Sequence, residues 1–74
     1  MTASSEFIPE RWLAPDQTPL SCTEKIKVLN ENIREIRDLA RDALEDGVLM
    51  GADPEQVRAV LARSVQDLPE PFSD

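Results

Sequence analysis

The sequence predicts an all-α fold, an antiparallel helical hairpin of one long and one short helix with an extended N-terminal arm. Apolar residues between positions 22 and 50 recur at alternating spacings of four and three. The pair Asp53-Pro54 restarts a helix directly after Gly51, and prolines are concentrated towards both ends of the chain. These patterns divide the chain into a proline-containing arm (1–18), a helical hairpin (19–68) and a frayed acidic tail (69–74).

The long helix is predicted to span about residues 21–50. Two starts fit the sequence: Thr18 with proline at the first helical position, or a capping box between Ser21 and Glu24. The apolar stripe has the heptad spacing of a coiled coil, so its members should share one face. This stripe consists of Cys22, Ile26, Leu29, Ile33, Ile36, Ala40, Ala43, Gly47 and Met50. Gly51 is a natural left-handed terminator for the helix.

The short helix is predicted to span about residues 54–68, with Asp53 as its cap and Pro54 in its first turn. The connection to the long helix is short, so the two helices should pack antiparallel. The short helix is about half as long, so it should cover the long helix only back to about Ile36. The residues expected to form this contact are the small Ala40, Ala43 and Gly47, flanked by Leu39 and Leu44.

The N-terminal half of the long helix therefore needs another cover for Ile26, Leu29 and Ile33. Three covers are open: the arm with Phe7 and Trp12, a second copy in a dimeric helical bundle, or a different protein. Small domains rarely stabilise themselves with one core, which favours association in general. The sequence thus predicts five partner-binding residues: Phe7, Trp12, Ile26, Leu29 and Ile33.

The chain has 74 residues and a net charge of -7, with 8 basic and 15 acidic side chains. This charge, which looks evenly spread along the sequence, disfavours nucleic acid and anionic membranes as ligands. No apolar run is long enough to cross a bilayer and no signal pattern is visible, so we expect a cytoplasmic protein. The partner expected from these features is a protein, either a second copy or a larger partner.

Enzymatic activity is not expected, because no group of residues has the arrangement of a catalytic site. There is no histidine and only one cysteine, so neither a zinc site nor a cysteine–histidine nucleophile is available, and no cofactor is expected. Asp42, Asp46 and Asp53 have part of the spacing of a calcium loop, but Leu44 stands where a ligand is required.

The function predicted from the sequence is a small non-enzymatic interaction module, an adaptor, accessory subunit or regulator that binds through its apolar helical stripe. One alternative is an acidic inhibitor that imitates nucleic acid at a basic site. Another is a redox switch through Cys22, placed in the first turn of the long helix, although packing as a small apolar residue is the commoner role of such a thiol.

Overall fold

The computed structural model describes residues 7–72, and within this range it contains two helices and no strand. Helix α1 spans Thr23–Leu49 (27 residues) and helix α2 spans Pro54–Gln66 (13 residues). The predicted all-α hairpin of one long and one short helix is therefore confirmed. Parts of the predicted arm and tail, residues 1–6 and 73–74, lie outside the described residues.

Helix α1 begins later than either predicted start. The first helical hydrogen bond runs from the Ile26 N–H to the carbonyl of Cys22 at 3.0 Å, so Cys22 precedes the helix and does not lie in its first turn. The start at Thr18 is wrong because Pro19 instead forms an isolated antiparallel bridge with Leu13.

The turn between the helices follows the sequence prediction closely. Gly51 has a φ of 92°, which is the left-handed conformation that terminates α1. The N–H of Ala52 donates to the carbonyl of Gly47 at 2.8 Å, and the N–H of Gly51 donates to that of Val48 at 3.1 Å, as in a Schellman motif. Asp53 then caps α2 by accepting a hydrogen bond from the N–H of Glu55 at 3.0 Å.

The chain divides into two compact units, Met1–Arg37 and Asp38–Asp74. The first contains the arm and the beginning of α1. The second contains the remainder of α1, the turn and α2. Each unit covers only part of its own apolar surface: no residue between 7 and 72 is buried, and the best-covered side chains are half-buried.

In the second unit the two helices approach closely at Gly47. A Cβ placed on Gly47 would lie 2.9 Å from Cγ2 of Val57, which is closer than such atoms normally come. Ala40, Leu44 and Leu61 are the other half-buried residues of this unit. The prediction that small residues on α1 allow α2 to approach is thus confirmed at Gly47.

The predicted stripe is only partly covered. Ile26, Leu29, Ile33, Ala40 and Gly47 are half-buried. The remaining stripe members and the flanking Leu39 were expected to be covered, and this expectation is wrong. The exposed residues are Cys22, Ile36, Ala43, Met50 and Leu39.

The period of an α-helix accounts for part of this difference, because positions seven residues apart drift by about 20° per heptad around the helix. Ile36, Ala43 and Met50 lie on the edge of the stripe that this drift turns away from the covered side. Asn30 and Leu44, each four residues after a covered stripe member, are half-buried in their place.

Candidate protein-binding surface

The arm in front of α1 is not extended throughout, because residues 12–20 double back as a tight loop. The N–H of Leu20 donates to the carbonyl of Trp12 at 2.9 Å, and the N–H of Ala14 donates to the carbonyl of Thr18 at 2.8 Å. Gln17, at the tip of the loop, has a φ of 74°. The loop returns the chain to the level of Trp12 before α1 starts.

Asp16 holds this loop with its side chain. Its Oδ1 accepts hydrogen bonds from the hydroxyl of Thr18 at 2.6 Å and from the N–H of the same residue at 3.1 Å. Both hydrogen bonds lower the pKa of Asp16 below its ordinary 3.8, and the one from the Thr18 hydroxyl has the larger effect. Because the folded-state pKa is the lower one, the loop gains stability from Asp16 above about pH 3.8 and loses it as the pH falls through the folded pKa.

Two contacts between side chains attach the arm to α1. The indole N–H of Trp12 donates to Oδ1 of Asn30 at 2.7 Å in a partly buried position. The guanidinium carbon of Arg37 lies 4.5 Å from the centre of the Phe7 ring, a cation–π contact. Since Phe7 contacts a later residue of α1 than Trp12 does, the arm runs antiparallel to the helix.

The structure places all five predicted partner-binding residues in the first unit, and all five are half-buried: Phe7, Trp12, Ile26, Leu29 and Ile33. Phe7 and Trp12 of the arm both contact α1 within this unit. A partner that binds these five residues would have to displace the arm or pack around it.

Sequence reasoning missed the two residues of α1 that receive the arm, Asn30 and Arg37. Asn30 is half-buried and accepts the indole hydrogen bond. A usable signal was present, because a tryptophan that packs on a helix needs an acceptor for its N–H. Asn30 is the polar residue four positions after Ile26, beside the covered stripe.

Large apolar side chains are exposed on both units. Among residues 7–72 they are Leu13, Leu20, Val28, Ile36, Leu39, Val48, Leu49, Met50, Val60, Val65, Leu68 and Phe72. The most exposed within the helices and the turn are Leu49 (84%), Met50 (83%) and Leu39 (70%). A shallow open hollow on the first unit is lined by Val28, Leu29 and their polar neighbours, all from α1, so it encloses no ligand.

The charge divides unequally when the chain is separated into its two units. Met1–Arg37 has six acidic and five basic side chains, a net charge of -1. Asp38–Asp74 has nine acidic and three basic side chains, a net charge of -6. Nearly all of the net negative charge therefore belongs to the unit that contains Leu39, Leu49 and Met50.

The remaining candidate residues make no built site. Cys22 is exposed and unpaired, so it is not the packed apolar residue that its heptad position favours. Asp42 and Asp46 belong to regular helix and not to a loop. Within residues 7–72, no group of three or more metal-binding side chains is close enough to hold an ion. Neither α1 nor α2 has an apolar stretch that could cross a membrane.

Comparison with protein-family models, with curated proteins and with solved structures found no match to this chain.

Proposed function

We propose that this chain is a small non-enzymatic protein-binding module that acts as an adaptor, accessory subunit or regulator. One observation carries the proposal: no residue between 7 and 72 is buried, whereas twelve large apolar side chains are exposed. Monomeric proteins rarely leave extensive apolar surface in water, and such patches mark interaction sites. A protein partner would cover this surface and supply the core that residues 7–72 do not form by themselves.

Two surfaces fit this role. The first is the stripe under the arm, where Phe7 and Trp12 are the proposed anchors and Ile26, Leu29 and Ile33 are the proposed helical contacts. The second is the set of exposed apolar residues in the unit Asp38–Asp74. We propose the cytoplasm as the location, because an exposed single thiol at Cys22 suits a reducing compartment.

The test is purification of the tagged chain from its own cells, followed by reconstitution with each protein that elutes with it at a fixed ratio. The matched variants are Leu39→Ser with Leu49→Ser, and Leu13→Ser as the control at a less exposed apolar position. A binary complex that survives reconstitution, weakens with Leu39→Ser and Leu49→Ser, and is unchanged by Leu13→Ser supports the proposal. A chain that elutes alone, unfolds cooperatively and shows no bound protein contradicts it.

A second candidate is an acidic inhibitor that occupies a basic nucleic-acid site, and the net charge of -6 on Asp38–Asp74 favours it. Binding of that kind depends on charge, so it should weaken steeply with salt and persist in Leu39→Ser. Binding through apolar contacts should show the opposite behaviour. Titrations of the reconstituted complex at two salt concentrations separate the two functions.

A further inference from the structure

The strongest unexplained surface is the side of α1 in the second unit that contains Leu39, Leu49 and Met50. These residues are 70%, 84% and 83% exposed, although each is a large apolar side chain. Ala43, four residues after Leu39, is also exposed. At about 100° per residue, Leu39, Ala43 and Met50 share one face of the helix, with Leu49 at its border. The surface formed by Leu39, Ala43, Leu49 and Met50 is called the C-terminal face.

Acidic side chains lie within the C-terminal face. The same helical spacing places Asp42 and Asp46 between Leu49 and Leu39. Neither carboxylate has a hydrogen-bond or ion-pair partner in the part of the chain that the structure describes. Arg41 points to a different side of the helix by its spacing and pairs with Asp38 at 3.5 Å. The C-terminal face therefore combines apolar contacts with carboxylates and no basic group.

The helix itself adds to this negative potential. The last turn of α1 contains no basic residue, and the carbonyl end of a helix carries a partial negative charge. Lysine or arginine in the last turn would offset this partial charge, and α1 has neither there. A cationic group from outside the chain would offset the excess.

We propose that the C-terminal face binds a basic amphipathic helix of another protein. This inference rests on the proposed function and specifies its partner. Apolar side chains on one side of the incoming helix would cover Leu39, Ala43 and Met50, and lysine or arginine beside them would pair with Asp42 and Asp46. Two helices pack by interdigitating rows of side chains at helical spacing, and the C-terminal face presents such a row.

Charge decides against the other occupants. A second copy would bring another unit of net charge -6 against this face, and nucleic acid or an anionic membrane is also negative. An uncharged apolar segment would leave Asp42 and Asp46 close to low-dielectric surface without partners, which is unfavourable. A helix that is apolar on one side and basic beside it satisfies both kinds of group.

The experiment measures binding of synthetic peptides to the full chain by titration calorimetry. The probe is a leucine–lysine peptide with heptad spacing. One control peptide replaces every lysine with glutamate, and a second keeps the leucine–lysine composition but scrambles the order, which removes the amphipathic helix. We expect the first peptide to bind and to become helical, and both controls to bind at least about tenfold more weakly.

Two protein variants and one matched control locate the binding site. Leu39→Ser with Leu49→Ser should weaken binding of the leucine–lysine peptide about tenfold or more. Asp42→Asn with Asp46→Asn should weaken it and reduce its dependence on salt. Val28→Ser, which alters an exposed apolar residue of the first unit, should leave binding unchanged. Circular dichroism of each variant confirms that its helices are retained.

The proposal is overturned if the amphipathic peptide binds no more tightly than the scrambled one, if Val28→Ser weakens binding as much as the leucine variants, or if the chain self-associates through the C-terminal face at low salt. The proposed function can survive that result: a natural complex that forms without basic helical contacts would refute only the partner chemistry assigned here. Failure of both experiments would refute both proposals.

Discussion

Asn30 illustrates how a single polar side chain orients a segment where none of the residues 7–72 is buried. The indole N–H of Trp12 is the only donor of that ring, and Asn30 accepts its hydrogen bond in a partly buried position. A buried donor left without a partner costs more than the hydrogen bond contributes. Asn30 therefore determines where along α1 the arm is held.

The residue-scale prediction compares Asn30→Ala with Asn32→Ala. Removing the acceptor at Asn30 should reduce the free energy of unfolding by about 1 kcal/mol and expose Trp12 to water. Asn32 is the matched control, because it has the same side chain on the same helix and is exposed. Urea unfolding followed by tryptophan fluorescence measures both effects. Equal results for the two variants would show that the Trp12–Asn30 hydrogen bond does not hold the arm.

At the scale of elements, the helix pair depends on the close approach at Gly47. Glycine within a helix usually costs about 1 kcal/mol relative to alanine, so its presence in α1 needs a packing reason. A methyl group at Gly47 would lie only 2.9 Å from Cγ2 of Val57, which supplies that reason. Val57 is β-branched and its side chain turns only with difficulty, so it cannot move aside easily.

At this scale we predict that Gly47→Ala changes the free energy of unfolding in opposite directions in two backgrounds. In the natural sequence the added methyl group should clash with Val57 and lower the free energy of unfolding, despite the gain in helix propensity. In a Val57→Ala background the clash is absent, so Gly47→Ala should raise the free energy of unfolding by up to about 1 kcal/mol. The four proteins of this double-mutant cycle are the natural sequence, Gly47→Ala, Val57→Ala and the double variant. Their thermal and urea unfolding is followed by circular dichroism. Stabilisation in both backgrounds would contradict close packing of α1 and α2.

At the scale of the whole molecule, the charge is divided unequally between the two units. The unit Asp38–Asp74 carries -6 of the total -7 and also has the three most exposed apolar residues of the helices and turn. Apolar exposure favours association of copies, whereas like charge opposes it. The balance between the two depends on salt, because salt screens the repulsion and leaves the apolar contact unchanged.

The prediction at this scale is a monomer at low salt. Light scattering at neutral pH should give the monomer mass over a wide concentration range, and added salt should raise the average mass. Asp42→Asn with Asp46→Asn should lower the salt concentration at which association begins. A dimer that is stable at low salt and unaffected by this substitution would show that copies associate through another surface, such as the stripe under the arm.

Much of the architecture follows from the sequence alone because its signals are local. Gly51, Asp53 and Pro54 act on backbone groups within a few residues, so they determined the turn and the start of α2 without any knowledge of tertiary structure. The apolar spacing likewise determined that the chain is helical. The grouping of Phe7 and Trp12 with Ile26, Leu29 and Ile33 was also predictable from the need of large apolar side chains for cover.

Only the tertiary structure decided which side of α1 is covered. A heptad pattern places apolar residues along two adjacent edges of a helix. One of these edges is exposed at Ile36, Ala43 and Met50, because positions seven residues apart drift around the helix. The loop of residues 12–20 and the choice of Asn30 as acceptor depend on contacts between segments distant in sequence. Local propensity contains no information on such contacts, because their free energy arises only when the two segments meet.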